Sequence, residues 1–168
     1  MVDPELIEDM TSAERALREP ISIPWKSRFQ PGKAVHIQFD GGAQEKHGTG
    51  GFVIYDSNFN EVVRMGRYYG PSKTNNEAEM FALRDSLAAL ASLLPSRPDL
   101  RLPVRAFGDS QLIVRFATRI YKKPTRHTTY WALEDIKRLE RKIHKATAYR
   151  NIPRALNKIA DDMADRAF

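Results

Sequence analysis

Four acidic residues on four separated segments, Asp40, Glu79, Asp109 and Asp161, constrain this chain more than any other feature. Asp40 closes the apolar run Ile37-Gln38-Phe39 and precedes Gly41-Gly42, Asp109 follows a later apolar run, Glu79 lies near a helix start, and Asp161 lies on the terminal helix. Each has a bland explanation by itself. An Asp before Gly-Gly serves in a turn, Asp109 before Ser110 caps a helix, and a Glu near a helix N-terminus is favoured by the macrodipole. The order of all four is harder to explain separately. Sheets with parallel strands gather ligand sites at the strands' carboxyl ends, where Asp40 and Asp109 fall.

The hydrophobic pattern supplies elements to carry them. From Ala34, Val35, Ile37 and Phe39 alternate with His36, Gln38 and Asp40, the period of a strand. Gly48, Gly50 and Gly51 precede a second strand over Phe52 to Tyr55, and Asp56-Ser57-Asn58 forms a turn into a third over Glu61 to Tyr69. A helix follows from about Asn75 to Leu94, then a strand over Leu102 to Gly108 and a helix over Ser110 to Arg119. A further helix runs from Thr128 to Ile143, a strand from Lys145 to Asn151, and a last helix from Ala155. Three consecutive strands followed by alternating helices and strands predict an α/β fold, a mixed sheet flanked by helices.

With 168 residues and 42% hydrophobic content the chain can bury one full core, which argues against disorder. We expect two parts, an N-terminal arm over 1–33 and one domain over 34–168. Leu6, Ile7, Met10, Ala13 and Leu17 follow a helical period in the arm before Pro20, Pro24 and Pro31 interrupt it. The arm either packs on the domain or tethers it to a protein partner or a larger polyprotein. It carries six acids against five bases, which leaves the domain with 22 bases against 15 acids. A basic field favours polyanions such as nucleic acid. The chain has no cysteine, so thiol chemistry and disulfides are excluded. No apolar run reaches the ~20 residues needed to span a bilayer, and the acid-rich start is unlike a signal or transit peptide. The expectation is an intracellular protein of cytoplasm or nucleus, not secreted and without a membrane partner.

Thr74-Asn75-Asn76-Glu77 fits a capping box, which assigns Glu77 a structural role. Leu83, Leu87, Leu90 and Leu94 mark the stripe that the helix buries, and one turn back this stripe reaches Glu79. A carboxylate on a core-facing side costs several kcal/mol unless a cation or hydrogen bonds compensate. On the last helix Leu156, Ala160, Met163, Ala164 and Ala167 form the apolar stripe, Asp161 is the inward acid, and Asp162 and Asp165 face solvent. Gathered carboxylates suit a pair of hard divalent cations ~3.5–4 Å apart, able to activate water against a phosphodiester.

These segments resemble the type 1 ribonuclease H family. The resemblance is carried by Phe39-Asp40-Gly41-Gly42, Thr74-Asn75-Asn76-Glu77-Ala78-Glu79, Gly108-Asp109-Ser110-Gln111, and Ile152-Pro153-Arg154 with Asn157, Ala160-Asp161, Met163 and Ala164, and it covers about 34–167. It implies a five-stranded mixed sheet with helices on both faces. It also implies hydrolysis of the RNA strand of an RNA/DNA hybrid, with Mg²⁺, or Mn²⁺ as substitute, held by Asp40, Glu79, Asp109 and Asp161. The products would carry 5′-phosphate and 3′-hydroxyl ends.

By the same resemblance Asn75, Asn76 and Gln111 read the hybrid's minor groove, Thr74 and Arg154 lie near phosphates, and Gly41 lies at the substrate. Three departures stand out. Glu45-Lys46-His47-Gly48 replaces the family's usual Gly-Asn-Pro-Gly-like turn, where Lys46 could contact phosphate, and the stretch between Asp109 and Asp161 is too short for a Trp-rich basic handle. No histidine lies between Lys145 and Asp161, although many relatives carry one; Arg150 and Arg154 occupy that neighbourhood. His36, His47, His127 and His144 are scattered, and Trp25 and Trp131 read as packing residues. Two alternatives stay open: a non-catalytic nucleic-acid-binding or assembly module, and a related nuclease acting on DNA or junctions.

Overall fold

The computed structural model describes residues 29–30, 32–94, 102–119, 127–143 and 147–168. The predicted arm helix and Trp25 lie outside these residues, as do the basic turn at 120–126 and His144. Five strands form one sheet: β1 (Val35–Gln44), β2 (His47–Tyr55), β3 (Glu61–Gly70), β4 (Val104–Gly108) and β5 (Thr147–Asn151). Their order is β3-β2-β1-β4-β5. The pairs β1–β2 and β2–β3 are antiparallel, whereas β1–β4 and β4–β5 are parallel. This is the predicted mixed sheet, with β1 at its centre.

Four helices complete the chain: α1 (Asn75–Leu93), α2 (Gln111–Ala117), α3 (His127–Ile143) and α4 (Lys158–Arg166). Helix α1 packs between the sheet and α3, which explains why its burial exceeds a single stripe. Met80, Phe81, Ala82, Leu83, Leu87, Ala89, Leu90 and Leu93 are all buried, and Leu94, expected in the stripe, is the partly exposed C-cap. Helix α4 covers the opposite face at β2 and β3. A Cβ on Gly51 would stand 2.3 Å from the Ala160 carbonyl oxygen, and one on Gly66 would stand 2.2 Å from that of Met163. Two glycines therefore let α4 lie against the sheet backbone. None of the described helices is long and apolar enough to cross a membrane.

Several element boundaries depart from expectation for reasons of packing. Gly48, Gly50 and Gly51 belong to β2, because a side chain at 48, 50 or 51 would collide with Lys73, Tyr69 or α4 respectively. β1 does not end at Asp40 but continues to Gln44, paired with β2 through the hairpin tip. Its parallel pairing with β4 does end at Gln38 opposite Phe107, so Asp40 emerges just beyond the parallel half of the sheet. β4 begins at Val104, with Leu102 and Pro103 outside it. The last helix begins at Lys158, after a 3₁₀ turn over Arg154–Leu156. Leu156 is 64% exposed and does not join the apolar stripe assigned to it.

Candidate active site

Asp40 is placed by β1 and by the absence of a side chain at its neighbour. A Cβ on Gly41 would lie 2.4 Å from both the Ala78 carbonyl carbon and the Glu79 nitrogen. Backbone-to-backbone contact thus seats the first turns of α1 on β1 and brings Glu79 beside Asp40. Gly41, expected at the substrate, lines the cleft but has this packing duty first. Asn75 also ties the two elements, its Oδ1 accepting from the Ala43 N–H at 2.7 Å.

The capping box at α1 is formed as expected. The Glu77 backbone N–H donates to Thr74 Oγ1 at 3.2 Å, and Glu77 Oε1 accepts from the Thr74 N–H at 3.1 Å. Burial of the two glutamates reverses the sequence expectation. Glu77 is the buried one, at 1% exposure, because its second oxygen accepts from Thr128 Oγ1 of α3 at 2.5 Å. Glu79 is only partly buried and opens onto a cleft, yet its Oε2 has no partner. Hydrogen bonds compensate the buried acid, and an unsatisfied oxygen marks the one at the cleft.

Asp109 follows β4 directly, and Ser110 caps α2 by accepting from the Ile113 N–H at 3.4 Å. Asp109 is therefore not the cap. On the other side of the cleft Asn157 is fully buried, and its Nδ2 donates to the Phe39 carbonyl at 2.8 Å. Its own carbonyl accepts from the Asp161 N–H at 3.1 Å, so one residue fixes α4 against the strand just before Asp40. Asp161 sits in the first turn of α4, with Arg154 Nη2 at 3.6 Å.

Asp40, Glu79 and Asp109 each present an oxygen within 4.8 Å of the others, and Asp161 lines the same cleft from α4. Burial raises Asp40 to about 8, reinforced by the hydrogen bond with Asp161 and by the charges of Asp109, Asp161 and Glu79. Burial likewise raises Glu79 to about 7, with a hydrogen bond from Ser110 opposing and the charge of Asp109 adding to it. Crowded carboxylates so placed favour either protons or a cation. The donor set consists of hard oxygens, and Glu79 Oε2 is orphaned, so these residues fit a divalent metal of the Mg²⁺ type.

The cleft measures about 290 Å³ and also holds Asn75, Arg154 and Asp165 in its wall. Asp165 is exposed as predicted, but it stands at the rim and accepts from Gln44 Nε2 at 3.3 Å. Asp162 is exposed and pairs with Arg166 at 3.0 Å. Thr74, Asn76 and Gln111 are exposed and lie outside the cleft wall. Lys46 is exposed at the hairpin tip, where Glu45 and Lys46 adopt φ of 51° and 66°. Trp131 corrects the packing expectation: it is 54% exposed on α3, with its indole N–H donating to His127 Nε2 at 2.9 Å. Sequence reasoning missed the positioning work of Asn157 and Ser110. Asn157 appeared only as a motif match, and its spacing of four from Asp161 was the available signal.

A five-stranded sheet of this order, with acids from β1, α1, the residue after β4, and α4 meeting at one cleft, defines a protein of the ribonuclease H-like class. More particularly, the chain belongs to the reverse transcriptase-like family, which matches residues 38–167, and it is consistent with the type 1 ribonuclease H family. Comparison with curated protein sequences gives no match. Among solved structures, the N-terminal ribonuclease H domain of a Mycobacterium tuberculosis protein is 23% identical with a TM-score of 0.70, over 80% of this chain and 98% of that one. At that identity it speaks for the fold alone. RNase H1 from the halophilic archaeon Halobacterium salinarum is 26% identical with a TM-score of 0.67, over 80% and 96%. LC11-RNase H1, isolated from compost, is 28% identical in complex with an RNA/DNA hybrid, with a TM-score of 0.70 over 79% and 95%.

Proposed function

We propose that this chain is an endonuclease that hydrolyses the RNA strand of RNA/DNA hybrids, leaving 5′-phosphate and 3′-hydroxyl ends. The observation that carries the reading is the convergence of Asp40, Glu79 and Asp109 within 4.8 Å, with Asp161 lining the same cleft. A module that only bound nucleic acid would gain nothing from concentrating negative charge where phosphate must approach. The related solved structure that holds an RNA/DNA hybrid supports the choice of substrate.

In this reading the four acids would hold two Mg²⁺ ions, with Mn²⁺ as substitute. Bound metal would supply an activated water and neutralise charge on the scissile phosphate. The chain's own residues perform the rest. Gly41 and Asn75 hold α1 against β1, so that Glu79 and Asp40 keep their separation without a ligand. Asn157 does the same for Asp161. Arg154, 79% exposed and only loosely paired with Asp161, is placed to exchange that partner for a phosphate. Exposed Asn76 and Gln111, on the helix starts flanking the cleft, present amide groups suited to 2′-hydroxyls and base edges.

The test is cleavage of matched labelled RNA/DNA hybrid, RNA duplex and DNA duplex in Mg²⁺, with chelator and Asp109→Asn controls. We expect cuts in the RNA strand of the hybrid alone, lost in both controls. Binding without cleavage would instead establish a non-catalytic module, and cleavage of the DNA duplex a different nuclease.

A further inference from the structure

Part of one sheet face is left open among the described residues. Residues paired across neighbouring strands share a face, and on the side that α4 covers they form two rows. One row holds Tyr55, His36, Arg105 and Ala148, and the next holds Val53, Gln38, Phe107 and Arg150. Helix α4 and the 3₁₀ turn cover this side only as far as Gln38, whose Nε2 donates to the Leu156 carbonyl at 3.4 Å. Beyond Gln38, Arg105, Ala148 and Arg150 are exposed around a recess of about 370 Å³ that Phe107 also lines. Continued onto β3, the first row reaches Glu61, paired with Tyr55, and the second reaches Arg64, paired with Val53, and these two side chains form an ion pair at the far edge.

Aromatic rings extend this recess across the sheet. Phe59 stacks on His36 with centroids 3.9 Å apart and planes 10° apart, and His36 lies 6.1 Å from Phe107. Phe59 is 57% exposed, although its loop holds it firmly, with Asp56 Oδ1 accepting from the N–H groups of Asn58 and Asn60, both at 2.9 Å. An exposed ring held by its loop, near a partly buried ring and two exposed guanidinium groups, matches what a base and its phosphates require.

We propose that this open half of the sheet is a binding site for single-stranded nucleic acid. Phe59 and Phe107 supply faces for stacking, and Arg105 and Arg150 pair with backbone phosphates. The third row of the same face contains Asp40, opposite Gly51, so the open half and the acidic cleft lie on one face of the sheet, with the 3₁₀ turn and α4 between them. A single-stranded extension of a duplex held at the cleft would pass over the 3₁₀ turn to gain a second point of contact. Single-strand binding is read without cleavage, so its success or failure is separate from that of the hybrid nuclease reading.

The experiment measures fluorescence anisotropy of labelled oligo(dT) and oligo(U) 12-mers with the full chain in chelator at low salt. The wild type, the double variant Arg105→Ala/Arg150→Ala, and Phe59→Asn, which tolerates the positive φ of that position, are compared, with a blunt hybrid as control. We expect the wild type to bind at least one of the oligonucleotides, the comparison of the two telling DNA from RNA. The arginine variant should weaken that binding at least tenfold and reduce the log–log salt slope by about 1.4, the value for two phosphates on a single strand. Phe59→Asn should weaken it roughly tenfold through lost stacking. Blunt-hybrid affinity should change less than twofold in both. Absence of single-strand binding by the wild type overturns the proposal, as does equal weakening for single strand and blunt hybrid. A large fall in melting temperature of the arginine variant without oligonucleotide also overturns it, because the face would then be occupied from within the chain.

Discussion

Asp40 retains its proton to about pH 8 in the metal-free fold, whereas an unfolded aspartate loses it near 4. Folding therefore favours the protonated acid, and the stability this provides is complete below about pH 4. It falls as pH rises from there to about 8, because the unfolded chain releases the proton first. Glu79, raised to about 7, acts in the same direction over a narrower window. Asp40→Asn replaces the carboxyl by a group that cannot ionise. We expect it to abolish hybrid cleavage, and in chelator to raise the stability of the fold by roughly 1–3 kcal/mol at pH 8, with the gain vanishing toward pH 4. Denaturant titrations of both proteins across that range check this. An equal gain at both ends would mean that Asp40 is not protonated in the metal-free fold.

The junction of β1 with α1 determines whether the acids meet. Gly41→Ala forces a methyl group to within 2.4 Å of α1 backbone, and backbone cannot yield as a side chain end can. We expect a loss of about 1–3 kcal/mol, typical of overpacking, with cleavage falling further than stability because Glu79 is displaced from Asp40. The two glutamates of α1 should separate cleanly in the same measurements. Glu79→Gln should leave the melting temperature equal or higher and remove cleavage. Glu77→Ala should cost about 2 kcal/mol or more, since it strips the cap from Thr74 and leaves the Thr128 hydroxyl without its acceptor.

For the molecule as a whole, net charge and local charge oppose each other. The chain carries +6 overall, while its cleft is lined by five acids, Asp40, Glu79, Asp109, Asp161 and Asp165. A net positive charge favours polyanions over long range, and in the proposed reading bound metal would make the cleft hospitable to phosphate. Mg²⁺ should therefore stabilise the fold by binding linkage, by about 1.4 kcal/mol at ten times its dissociation constant. Thermal melts with increasing Mg²⁺ should show this rise in the wild type and lose most of it in Asp109→Asn. An undiminished rise in the variant would place the metal elsewhere.

The sequence determined the element order, the mixed sheet and the four acids. Alternation at Val35 to Phe39, the capping box at Thr74 and the placement of Asp40 and Asp109 after apolar runs are local signals, readable from a few neighbours. What only the tertiary structure decided depends on residues far apart in the chain. The glycines of β2 read as a loop until Tyr69 and α4 are seen to crowd them. Glu77 exchanged burial with Glu79 because α3 delivers Thr128 to one and the cleft opens beside the other. Leu156 and Trp131 are apolar by composition yet exposed, since the 3₁₀ turn and α3 direct them away from the core. Asn157 fixes Asp161 through a carbonyl 118 residues earlier, a contact that exists only once β1 and α4 have packed. Periodicity records what each segment prefers to bury. It does not record which partner will cover it, and that partner sets both the separation of the acids and the face of the sheet left open.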